Sequence, residues 1–168
     1  MQIKVFSQEA FIDFLTKHEK EIRKTIDDII MIRIFSSELL ESPIDDVIFE
    51  EDFLSNQMLC FDFADVEDEF FENNKEALLE AEQRLDVRQS PITINEARKI
   101  KSFIERNKDK KLLLIHCEAG ECRSWTVAFC IAKHILKDET LSKEIRNKVV
   151  RFSKTIERRF LEAWHLHI

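Results

Sequence analysis

One glycine in 168 residues leaves this chain a single position at which the backbone turns to positive φ, or lets another group come close, without a steric penalty. Average usage of about 7% would supply about twelve. The chain avoids glycine everywhere else. The exception is Gly120, inside His116-Cys117-Glu118-Ala119-Gly120-Glu121-Cys122-Arg123-Ser124. A backbone that curls around a ligand is the reading that best accounts for a glycine kept there.

The flanks of this segment define its setting. Lys111-Leu112-Leu113-Leu114-Ile115 is a short apolar run behind the charged stretch Lys108 to Lys111, the pattern of a strand buried on both faces of a parallel sheet. After the segment, Trp125 to Leu136 is apolar enough for a largely buried helix that begins near Arg123 or Ser124. In a strand, loop, helix order, the unpaired N–H groups of loop and first turn converge, and the helix dipole adds about half a positive charge. An anion belongs at that point, held by the backbone of Glu118, Ala119, Gly120, Glu121 and Cys122 together with Arg123.

The side chains supply the chemistry. A cysteine beside a cation and a helix N-terminus is favoured as thiolate, its nucleophilic form, and Cys117 opens the loop. Arg123 offers a planar fork that takes two oxygens of one phosphate, which lysine cannot do. Ser124 is placed to donate its hydroxyl to the thiolate and stabilise it as a leaving group. His116 is read as orienting the loop rather than transferring protons.

In these residues the sequence resembles the cysteine-dependent tyrosine phosphatase superfamily, whose signature is HC-x5-R followed by Ser or Thr, and within it the compact dual-specificity branch with HC-x-A-G-x-x-R-S. Every fixed position is matched. The resemblance spans residues 28 to 165, including the helix start at Ile92-Thr93-Ile94-Asn95-Glu96-Ala97. It implies a metal-independent phosphomonoesterase acting through a cysteinyl-phosphate, with no cofactor. The low-molecular-weight tyrosine phosphatases also place a second cysteine just before the loop arginine, where it traps the oxidised nucleophile; by that resemblance Cys122 is either a reversible disulfide partner of Cys117 or a small loop filler.

Such a mechanism needs a carboxylic acid to protonate the leaving oxygen and then activate water. Met58 to Phe63 reads as a strand, followed by the acidic loop Ala64-Asp65-Val66-Glu67-Asp68-Glu69. Asp62, Asp65 and Asp68 compete. Phe63-Ala64-Asp65-Val66 is similar to the Phe-x-Asp-Val or Phe-x-Asp-Ile of small bacterial and phage relatives, which puts Asp65 first and Asp68 second.

The length suits a single domain over residues 1–168, and 44% hydrophobic with 35% charged residues is ordinary for a globular protein. With no basic and apolar leader pattern at the start and no apolar run near 18 residues, secretion and membrane spanning are not expected, and the expected location is the cytoplasm. The four cysteines, Cys60, Cys117, Cys122 and Cys130, form neither a disulfide framework nor a paired zinc pattern; Cys60 and Cys130 are expected to be buried and inert. Residues 1–97 carry a net charge of −15 and residues 98–168 a net +8. Complementary faces of one fold explain this better than a nucleic-acid surface, although Arg151, Lys154, Arg158 and Arg159 would form a basic face on a C-terminal helix with the stripe Ile145, Val149, Phe152, Ile156 and Phe160. His165 and His167 are too few to make a metal site.

Along the chain, a strand is expected at Ile3–Phe6, a helix from about Ser7 to His18, a strand at Ile29–Phe35, and helices over 73–86 and 93–107. The last of these starts with the capping box Thr93 and Glu96 behind Pro91. One bent helix or two occupy 140–165. Strands alternating with helices give an α/β fold with a mostly parallel sheet covered on both faces.

The expected substrates are a phosphorylated protein or a small phosphoester. Glu118 and Glu121 stand where phosphoinositide-directed relatives carry lysine, which argues against polyanionic lipids. A non-catalytic phosphate-binding module of the same fold is the alternative, and a rhodanese-type sulfur transferase a weaker one.

Overall fold

The computed structural model describes residues 1–35, 53 and 56–165. Among these, strands β1 (Gln2–Ser7), β2 (Ile29–Ile34), β3 (Met58–Phe61) and β4 (Leu112–Cys117) form one sheet in the order β1-β4-β2-β3, every neighbouring pair parallel. Parallel neighbours need crossover connections, which helices provide. Helices α1 (Gln8–Lys17) and α2 (Glu19–Lys24) lie between β1 and β2. Helices α3 (Asp68–Asn73), α4 (Lys75–Leu85) and α5 (Ile94–Arg106) lie between β3 and β4, and α6 (Arg123–Cys130), α7 (Glu139–Lys148) and α8 (Lys154–His165) follow β4.

All six residues of β2, Ile-Ile-Met-Ile-Arg-Ile, are buried, as expected of an inner parallel strand with both faces covered. The period of two divides them. Ile30, Ile32 and Ile34 join Leu113, Ile115 and Cys117 of β4 against α5, α6 and α8, whereas Ile29 and Met31 join Leu114 against Phe11 and Leu15 of α1. Loops from the carboxyl ends of neighbouring β1 and β4 thus run to helices on opposite faces, the arrangement that opens a crevice at the strand ends of α/β sheets.

Local chemistry sets most boundaries. Ser7 caps α1 by accepting from the Ala10 N–H at 3.2 Å, and the Thr93–Glu96 capping box of α5 is closed in both directions. The expected helix over 73–86 is α4, preceded by the short α3, which begins at the last two residues of the acidic loop. Helix α6 continues into a π-helical turn over Ile131–Ile135, where the Leu136 N–H reaches back to the Ile131 carbonyl at 2.9 Å. The stretch 140–165 is two helices. Asp138 caps α7 and the Ser153 hydroxyl accepts from the Ile156 N–H at the start of α8, so the chain breaks between them and Arg151 falls in the break rather than on a helical face.

Cys60 corrects an expectation. It is exposed, on the strand that ends the sheet among the described residues, while Cys130 is buried as expected. The basic C-terminal residues meet acidic ones: Arg151 pairs with Asp65, Arg158 with Asp68 and Glu162, and Arg159 with Asp68 and Glu162. His167 lies outside the described residues. Among the described residues no helix is long and apolar enough to cross a membrane, and no group of three or more His, Cys, Asp and Glu side chains is placed to hold a metal ion.

Candidate active site

The loop 117–123 leaves the carboxyl end of β4, which lies between β1 and β2. Its outer side is tied to the scaffold: the Gln8 N–H donates to the Glu118 carbonyl at 3.0 Å and the Arg151 N–H to the Glu121 carbonyl at 3.3 Å. In a trans peptide the N–H points opposite to the C=O. Turning these two carbonyls outward therefore turns the Ala119 and Cys122 N–H groups the other way, as in loops that cradle anions.

Gly120 does two jobs. Its φ is +68°, and a Cβ added there would stand 2.5 Å from the Ser7 nitrogen and 2.7 Å from the Ser7 Cα. The glycine is thus required by the β1–α1 junction packed beneath the loop, and the close approach expected of a ligand is made by the protein's own backbone.

Cys117 is 2% exposed, and its Sγ lies 3.1 Å from the Ser124 Oγ on the first turn of α6. Arg123, 7% exposed, is fixed from behind: its Nη1 donates to the Phe63 carbonyl at 3.0 Å and the Phe35 carbonyl at 3.2 Å. Those carbonyls sit just past the ends of β3 and β2. With Nη1 so engaged, Nε and Nη2 are the edge of the fork left for an anion, and Nη2 is 3.7 Å from the Glu118 carboxylate.

His116 points to the opposite face of the sheet from Cys117. It stacks on Phe11 with ring centroids 4.4 Å apart and accepts from the Arg33 Nε at 3.3 Å. Burial first, then the charge of Arg33 and that of Arg123, push its pKa down to about 3, against an opposing hydrogen bond with the Cys117 backbone. A neutral imidazole there acts as an uncharged prop under the loop.

The three aspartates separate clearly. Asp62 is about half exposed and pairs with Arg88 at 3.2 Å, and Asp68 pairs with Arg158 and, at 2.8 Å, with Arg159. Asp65 alone of the three meets the loop: it pairs with Arg151 and lies against the Cys122 thiol. Burial and Asp65 together push the Cys122 thiol up to about 12. A thiol that keeps its proton at neutral pH exchanges disulfides slowly, which weighs against the disulfide role that resemblance offers. Trp125 is half-buried against the core.

Sequence reading missed the carbonyls of Phe35 and Phe63, the close approach of Ser7, and Arg151 as the partner of Asp65. None has a local signal, since each pairs positions that only the completed sheet and helix break bring together.

A parallel α/β sheet with a cysteine and arginine loop at the end of an inner strand, leading into a buried helix, defines a tyrosine-phosphatase-like fold. Solved structures agree. No protein-family model and no curated protein matches the chain. The structure of Tk-PTP in the active form is similar at a TM-score of 0.52 and 16% identity, covering 97% of this chain and 90% of that one. The human tyrosine phosphatase-like serine/threonine/tyrosine-interacting protein is similar at a TM-score of 0.51 and 16% identity, covering 92% of this chain and 83% of that one.

Proposed function

We propose that this protein is a metal-independent phosphomonoester hydrolase of the tyrosine or dual-specificity type. The observation that carries the reading is Arg123, anchored through Nη1 by two main-chain carbonyls at the end of the loop that Cys117 opens, which leaves its other edge for an anion. An arginine held this way is organised before a phosphate arrives, and preorganised donors stabilise developing charge without reorganisation.

In the first step the Cys117 thiolate attacks phosphorus, and a sulfur–phosphorus bond forms as the ester phosphorus–oxygen bond breaks. Asp65, as the acid, gives its proton to the departing oxygen. In the second step Asp65 takes a proton from water as the water oxygen attacks phosphorus, and Cys117 leaves as a thiolate supported by the Ser124 hydroxyl. The loop N–H groups of Glu118 to Cys122, with Arg123, hold the equatorial oxygens. No metal ion or cofactor enters these steps.

Exposed carboxylates of Glu118 and Glu121 flank the loop. They disfavour substrates with several phosphates and leave a phosphorylated protein side chain or a small monoester as the substrate class.

A second reading, a non-catalytic phosphate-binding module, draws on the Asp65–Arg151 ion pair, which occupies the acid in the resting protein, and on the likeness to a phosphatase-like interacting protein. Hydrolysis of nitrophenyl phosphate and phosphotyrosine peptides, with chelator and reductant present, separates the two. Turnover abolished in Cys117→Ser supports the hydrolase. Folded wild type that binds vanadate without turning over either substrate overturns it in favour of the module.

A further inference from the structure

We propose that Thr155, with Glu67, is a positioning residue that clasps the loop bearing Asp65 and sets where that carboxyl stands over the catalytic loop. The inference rests on the reading of Asp65 as the acid.

The Thr155 hydroxyl is used in both directions. It accepts from the Asp68 N–H at 2.8 Å and donates to the Glu67 Oε2 at 2.8 Å, while the Thr155 N–H donates to that same oxygen at 2.8 Å. Thr155 is 4% exposed, so these bonds are shielded from competing water. Glu67 thereby sits on the N-terminus of α8, where unpaired N–H groups and the dipole favour a carboxylate. Burial alone would raise its pKa, but the hydrogen bonds from Thr155, Ser153 and Lys154 hold it below the usual carboxylate range.

The other end of the acid loop is equally fixed. The Phe63 carbonyl is bound by Arg123, and the Ala64 N–H donates to the Ser90 carbonyl at 2.9 Å. Only Asp65 and Val66 remain between the two anchors. Residues 151–155 are in turn tied to the catalytic loop and its helix: the Arg151 N–H bonds to the Glu121 carbonyl, and the Ser153 N–H donates to the Thr126 hydroxyl at 3.2 Å. Position is thus passed from the catalytic helix through Ser153 and Thr155 to Glu67, and from there to the acid. A loop so pinned holds Asp65 beside Arg151 and the Cys122 thiol of the catalytic loop, with little backbone freedom to swing open between turnovers.

An acid matters most when the leaving oxygen is basic, so two esters tell positioning from general damage. Phenyl phosphate needs protonation of its oxygen; nitrophenyl phosphate, with an activated leaving group, needs it far less. The kcat and KM for both are measured for wild type, Asp65→Asn, Thr155→Val and Thr155→Ser. Loss of the acid costs up to about 10²–10⁴ in rate, and Asp65→Asn sets that limit here. Thr155→Val is expected to lower kcat at least about tenfold for phenyl phosphate and by less than about threefold for nitrophenyl phosphate, within that limit, with KM little changed and Thr155→Ser restoring the rate. Equal losses on both esters, or none on either, overturn the clasp. Should Thr155→Val fail to fold, Glu67→Gln is read by the same two criteria. Wild type inactive on both esters overturns the phosphatase reading and this inference with it, whereas an active wild type whose variants lose both activities equally overturns this inference alone.

Discussion

The Cβ position of Gly120 lies 2.5 Å from the backbone nitrogen of Ser7, a separation no side chain can share. The loop 117–123 and the junction that starts α1 are therefore packed backbone to backbone. Gly120→Ala must both move that junction and hold alanine at a φ of +68°. Overpacking and the left-handed penalty together predict a loss of about 2–4 kcal/mol, read by urea unfolding. An unchanged unfolding midpoint would mean the two segments separate at no cost.

In the proposed mechanism Arg123 performs two tasks with one planar group, and lysine can perform only one of them. If its ammonium stays on the Phe35 and Phe63 carbonyls it leaves the phosphate, and if it turns to the phosphate it abandons two buried acceptors. Arg123→Lys is expected to lower kcat by about 10²–10³, as loss of a preorganised donor does, and to weaken vanadate inhibition in parallel. A rate within a few-fold of wild type would show that a point charge suffices.

How much of this was legible beforehand follows from the range of each signal. The strand Leu112–Cys117, the loop and the buried helix after it are written in contiguous residues, as is the capping box of Thr93 and Glu96, and these carry the α/β class and point to the candidate site. The break at 149–153 was only half legible: an apolar stripe from Ile145 to Phe160 runs through it without a phase error large enough to declare two helices. Arg151 therefore read as one charge on a basic face, when its position in the break brings it to Asp65 and to the Glu121 carbonyl. Cys60 was misjudged for a similar reason, since an alternating strand does not announce that it ends the sheet formed by the described residues.

His116 offers a direct check on the electrostatics. Its pKa is depressed to about 3 by burial and by Arg33 and Arg123, below the ordinary value of about 6.5. Between those two values the unfolded chain binds a proton that the folded chain refuses, so stability rises with pH across the window and falls as the solution is acidified through it. Two measurements follow: the His116 ring resonances should show no titration down to pH about 5, and His116→Gln should flatten the dependence of unfolding free energy on pH between about 6.5 and about 4. A ring that titrates near 6.5 would place water, not Phe11, beside it.

Glu67 gives the opposite case of a depressed carboxylate. With its folded pKa held below the usual range by Thr155, Ser153 and Lys154 despite burial, it contributes stability that is complete above the unfolded value of about 4.3 and vanishes as pH falls through the folded value. Glu67→Gln should therefore destabilise the protein at pH 7 and converge with wild type in strong acid, as followed by thermal melts across pH. A constant difference at every pH would assign the loss to packing instead of charge.

Ser124 should matter in only one half of the reaction. Its hydroxyl is 3.1 Å from the Cys117 sulfur, which in the proposed mechanism attacks phosphorus in the first step and must leave carrying negative charge in the second. A hydrogen bond to a leaving thiolate speeds its departure, whereas the same bond tames an attacking one, so removing it spares phosphorylation of the enzyme and slows its hydrolysis. Ser124→Ala is then expected to release nitrophenol in a burst close to one equivalent per enzyme, followed by a steady rate lower by about 10², with the cysteinyl-phosphate visible by mass spectrometry after an acid quench. Slow release without a burst would mean that the hydroxyl serves the attack, and that Cys117 depends on Ser124 to become a thiolate in the first place.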